Sequence, residues 1–83
     1  MTIIKHPLST EKSLRLMESE NKLIFVVAEK ATKREIKMEI ERMFNAKVDK
    51  VNTYHSQKGT KRAYVKFNIE TPAIDIATNL GLM

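Results

Sequence analysis

The hydrophobic positions of the chain change period along its length, and each change predicts an element. Pro7, with Ser9 or Thr10 as cap, predicts a first short helix over Glu11 to Met17. Leu14 and Met17 fall on one side of it, Lys12 and Arg15 away from them. After the turn at Asn21-Lys22, the run Leu23-Ile24-Phe25-Val26-Val27-Ala28 is short, β-branched and aromatic, which predicts a strand that is apolar on both faces and hence central in its sheet. Thr32-Lys33-Arg34-Glu35 has the spacing of a capping box, where hydroxyl and carboxylate each satisfy an unpaired backbone N–H. Ile36, Ile40, Met43 and Phe44 then predict an apolar helical stripe that ends at Asn45-Ala46.

Two further strands are predicted at about 47–56 and 61–69, joined near Gln57-Lys58-Gly59-Thr60. The latter alternates: Ala63, Val65, Phe67 and Ile69 take one face, Arg62, Tyr64, Lys66 and Asn68 the other. The former does not, because Val48 and Val51 are an odd step apart, and a β-bulge of unspecified position would reconcile them. Thr71-Pro72 reads as N-cap and first residue of a last helix, with Ile74, Ala77 and Leu80 inward and Gly81 as its stop. A strand–helix–strand crossover can set the first two of these strands parallel, with the hairpin adding an antiparallel third. The predicted fold is α+β: a two-layer sandwich of ferredoxin-like β-α-β-β type. A small antiparallel or mixed sheet of three to four strands carries helices on one face and leaves the other free.

Length bounds this to one domain. With 83 residues and 42% hydrophobic content, a single modest core is expected, and stability is expected to depend partly on a partner. There is no cysteine, which excludes disulfides, thiolate metal sites and cysteine nucleophiles. No apolar run approaches the length of a membrane span and no signal-peptide layout opens the chain, so a cytoplasmic protein without membrane insertion is expected. The net charge of +5 favours an anionic partner, and its distribution is uneven. Residues 43–69 hold six basic side chains (Lys47, Lys50, Lys58, Lys61, Arg62, Lys66) against Asp49 alone.

Catalytic constellations are weak. His6 and His55 stand far apart with no carboxylate at ligand spacing, so neither metal nor other cofactor is expected. The serines lack a nucleophile-elbow motif, and the two glycines cannot form a phosphate loop. The carboxylates of the second helix interleave with Lys33, Arg34, Lys37 and Arg42, as on a solvated face. The basic hairpin is different. Lys58, Lys61, Arg62 and Lys66 offer cations for phosphates; Tyr54, His55 and Tyr64 offer flat rings; Asn52, Thr53 and Gln57 offer short polar groups. A solvated edge hairpin guarded by lysines would explain the lysines, but less well the tyrosines beside them. An RRM-like string is absent, so sequence-specific reading of single strands is not expected.

Several strings also carry a resemblance. Ile3-Ile4-Lys5-His6-Pro7 with Ser9-Thr10-Glu11-Lys12-Ser13, then Ala31-Thr32-Lys33 with Glu35-Ile36-Lys37, Val51-Asn52-Thr53, and Lys61-Arg62-Ala63-Tyr64-Val65-Lys66 are similar, in order and spacing, to the universal large-subunit ribosomal protein twenty-three family. The resemblance is to its short archaeal type and spans essentially the whole chain. It implies a non-enzymatic structural component that binds large-subunit rRNA beside the polypeptide exit, among neighbouring ribosomal proteins. It also implies that Glu11, with Glu18, belongs to a docking surface for signal recognition particle or nascent-chain chaperones. The bacterial type reaches into the tunnel with a long basic loop, for which Gln57 to Lys61 is too short.

The expected rRNA-binding residues are therefore Lys5, His6, Lys12, Lys33, Lys37, Asn52, Thr53, Tyr54, His55, Lys58, Lys61, Arg62, Tyr64 and Lys66. Two rival readings are a free-standing RNA-binding or chaperone module and a small acylphosphatase-like enzyme. The latter needs an arginine-bearing, glycine-rich loop where Glu29-Lys30-Ala31-Thr32 stands.

Overall fold

Four strands and three helices follow one another along the chain in a computed structural model that describes residues 3–56 and 59–81. They are β1 (Ile4–Pro7), α1 (Glu11–Glu20), β2 (Lys22–Val27), α2 (Lys33–Phe44), β3 (Val48–His55), β4 (Lys61–Phe67) and α3 (Ala73–Asn79). The sheet order is β1-β2-β4-β3, and every neighbouring pair is antiparallel. β2 and β3 do run in the same direction, as the α2 crossover requires, but β4 lies between them. The element unforeseen in the sequence is β1. Its four residues carry Lys5, His6 and Pro7, which show no strand period, and pairing with β2 supplies what local propensity does not.

The helices begin and end on side-chain chemistry. Thr10 caps α1, its hydroxyl accepting from the Ser13 N–H while Ser13 Oγ accepts from the Thr10 N–H at 2.8 Å. Thr32 and Glu35 form the reciprocal pair expected for α2, at 3.0 and 3.1 Å. Asn21 and Asn45 end α1 and α2 in the left-handed region, at φ 56° and 50°. Asn21 also joins distant parts of the chain. Its amide nitrogen donates to the carbonyls of Phe67, Asn68 and Thr71, and its Oδ1 accepts from the Ala73 N–H at 2.6 Å.

That last bond corrects the sequence expectation for α3. Pro72, not Thr71, is the N-cap and has no capping side chain of its own; Asn21 caps the helix from across the fold. Thr71 instead accepts the Lys47 N–H on its hydroxyl. The inward face of α3 shifts accordingly, to Ala73, Ile76 and Ala77, while Ile74 is exposed. Ile69 departs from expectation for a related reason. β4 ends at Phe67, the chain turns at Asn68–Thr71, and the strand period no longer applies, leaving Ile69 90% exposed. In α2, Ile36, Ile40 and Phe44 form the covered ridge, with Phe44 tilted against Phe25 at 6.3 Å, and Met43 turns outward.

One core fills the space between sheet and helices. Leu23, Phe25 and Val27 of β2, Ala63, Val65 and Phe67 of β4, and Val48 and Val51 of β3 meet Met17, Ile36, Ile40, Ile76 and Ala77 from the helices. Val48 and Val51 share this side because a bulge lies between Val48 and Lys50, where Asp49 is the extra residue.

Candidate nucleic-acid interface

The strand register turns the outward-facing residues into three cross-strand rows. Lys22, Lys66 and Lys50 stand side by side on β2, β4 and β3. Next come Ile24, Tyr64 and Asn52, then His6, Val26, Arg62 and Tyr54. Neighbouring strands are about 4.8 Å apart, so the lysines of the first row lie directly opposite one another. Like charges so placed are unfavourable. Glu20 relieves one of them by pairing with Lys22 at 3.2 Å. Among the described residues, no acidic side chain pairs with Lys50, Lys66 or Arg62.

The β2 part of the last two rows is covered. Ile24 and Val26 are buried yet lie outside the core cluster. The β1–β2 pairing continues past Pro7 along the edge of this part: the Leu8 N–H donates to the Ile24 carbonyl at 2.9 Å. The Lys12 ammonium sits 5.9 Å from the centroid of the Tyr64 ring, a cation–π distance. Tyr64 in turn meets Tyr54 edge-on, with centroids 5.1 Å apart at 81°. The open portion of the face is thus its β4–β3 half. At the far end, Lys5, His6, Glu29, Thr60 and Arg62 line a groove of about 460 Å³.

The expected binding residues divide between the two sides of the sheet. His6, Asn52, Tyr54, Arg62, Tyr64 and Lys66 share the outward face, and Lys12 reaches it from α1. Thr53, His55 and Lys61 have the opposite strand phase and face the helical layer, to which exposed Lys33 and Lys37 of α2 also belong. Lys61 is further committed, since its ammonium donates to the carbonyls of Ala31 and Glu29 and holds the β2–α2 connection against the hairpin. Lys5 is exposed on β1. Lys58, and Gln57 beside it, lie outside the described residues.

Sequence reasoning missed Lys22 and Lys50 as members of this face. Lys50 was accessible in principle: placing the bulge at Asp49 puts it in phase with Asn52 and Tyr54. Lys22 needed the β2–β4 register, which no local pattern encodes.

Glu11 and Glu18 are exposed and seven residues apart on α1, which aligns them on one side of the helix. Arg15 pairs with Glu11 at 3.0 Å between them, and Lys12 follows Glu11 directly, so this acidic strip borders the Tyr64 face. Among the described residues no three histidine or carboxylate side chains converge as a metal site would require, and no helix is long and apolar enough to cross a membrane.

The chain is similar to known proteins over nearly its whole length. The sequence profile of ribosomal protein L23 matches residues 2–76. A large ribosomal subunit protein uL23 from Pyrobaculum aerophilum is 47% identical over 81 residues, covering 98% of this chain and all of the relative. Another, from Methanococcus vannielii, is 46% identical over 80 residues, covering 96% of this chain and 93% of the relative.

Proposed function

We propose that this chain, which belongs to the ribosomal protein L23 family, holds the rRNA of the large ribosomal subunit on the open face of its sheet. Membership makes it a structural, non-enzymatic constituent of that subunit in the cytoplasm, associated with the subunit's rRNA and proteins. What supports a direct contact through this face is one observation. Lys50, Lys66 and Arg62 have no acidic partner among the described residues and stand beside two tyrosines on the side of the sheet that the core does not use. Cations kept free of internal ion pairs serve stability poorly and serve a polyanion well, because each phosphate they neutralise releases counterions.

In this reading the protein sits beside the polypeptide exit, and Glu11 with Glu18 offers an acidic strip to basic segments of targeting or chaperone factors. Arg15 tempers that strip, and its nearness to Lys12 sets the factor surface at the border of the RNA surface.

Binding of the full chain to large-subunit rRNA across a salt series tests this. Arg62→Ala and Lys66→Ala are each expected to weaken binding and to reduce the slope of log K against log salt by about 1. Slopes unchanged in both variants would place the rRNA elsewhere. Glu11→Gln is expected to leave the rRNA slope intact while lowering recruitment of signal recognition particle to subunits carrying it, and simultaneous loss of both would rule out two surfaces.

A further inference from the structure

We infer that the outward sheet face is built to lie across the minor groove of an RNA double helix, and not to stack unpaired bases. This rests on the rRNA-binding reading above and specifies which form of RNA the face takes.

A stacking platform needs aromatic rings with open faces, each receiving one base. The rings here are arranged against that. Tyr64 is half-buried, with the Lys12 ammonium over its ring and the Tyr54 ring set edge-on beside it. Two rings at 81° cannot both lie parallel to neighbouring bases. The β2 positions of the same rows are the buried aliphatics Ile24 and Val26, which offer no ring at all.

The polar groups are arranged for a helix instead. Arg62 and Lys66 are four residues apart on β4, about 13 Å along the strand. Around Lys66 are Lys22 and Lys50; around Arg62 is His6. The face therefore carries the lysine row at one end and Arg62, with Tyr54 beside it, at the other, and between them the row of Ile24, Tyr64 and Asn52. The minor groove of A-form RNA is wide and shallow, with 2′-hydroxyls and base edges in its floor and a phosphate strand on each flank. Cations at two ends match the two strands, and the Asn52 amide and tyrosine hydroxyls match the 2′-hydroxyls between them.

The test uses the full chain with three probes at one salt concentration: an RNA hairpin with a continuous stem, a single-stranded RNA of the same length, and the hairpin remade in DNA. The hairpin RNA is expected to bind at least about tenfold more tightly than either other probe. Tyr54→Phe and Asn52→Ala are each expected to weaken RNA-hairpin binding by about fivefold, one hydrogen bond's worth, and to leave DNA-hairpin binding unchanged. Single-stranded RNA bound as tightly as the hairpin, or Tyr54→Phe neutral where Tyr54→Ala is damaging, would overturn the inference in favour of stacking. Large-subunit rRNA run alongside separates the two levels. If it binds with a salt slope that Arg62→Ala reduces while the hairpin is not preferred, the duplex inference alone is wrong; if that slope is unaffected too, the rRNA face itself is wrong.

Discussion

The two sides of β4 carry opposite assignments in alternate residues. Ala63, Val65 and Phe67 point inward and are sealed by helices and neighbouring strands, while Arg62, Tyr64 and Lys66 point outward into rows that include three adjacent lysines. The inward side is explained by folding alone. The outward side is not, because a sheet needs no lysine triplet, and cross-strand like charges oppose its formation. Where one strand satisfies stability on one side and works against it on the other, the second side is the one that we propose an external partner completes.

Variants at neighbouring positions probe this contrast. The largest effect is expected from Phe67→Ala, which empties a fully buried ring position and should lower unfolding stability by about 3–5 kcal/mol in denaturant titration. A loss below about 1 kcal/mol would show that the inward side is not the main source of stability. Lys61→Ala comes next. It removes the donor to the Ala31 and Glu29 carbonyls and should lower stability by about 1–2 kcal/mol. Its rRNA salt slope should stay nearer the parent's than that of Arg62→Ala, although the two residues are adjacent. The smallest effect is expected from Lys66→Gln, next to Phe67 on the strand. Thermal or chemical unfolding should shift by no more than about 0.5 kcal/mol, and upward if at all, because one like-charge row is relieved.

Much of the fold was legible because its signals are local. The Thr32–Glu35 box, the Ile36–Ile40 ridge and the alternation of 61–67 each lie within a few residues, and each element formed where its pattern stands. The odd step between Val48 and Val51 announced a bulge without locating it. What escaped were pairings between distant segments. β1 exists only against β2, and α3 starts where Asn21, 52 residues away, offers an acceptor. The candidate interface follows the same division. Arg62, Tyr64 and Lys66 shared a face on alternation alone, whereas Lys22 and Lys50 joined them through register, and Lys61 left them through its carbonyl contacts.

The bulge at Asp49 bears on how this surface could change over time. Because Asp49 is the surplus residue of its strand, losing it would let Val48 and Lys50 follow one another in ordinary alternation, with Lys50, Asn52 and Tyr54 still turned to the same side. The Asp49–Asn68 bond would go, and with it the local bend and extra twist that such an insertion imposes. Chain length at this point therefore governs curvature without altering which groups are displayed. A single-codon deletion would yield a flatter support bearing the same chemistry, whereas one at Asn52 or Thr53 would turn the remainder of the strand inside out.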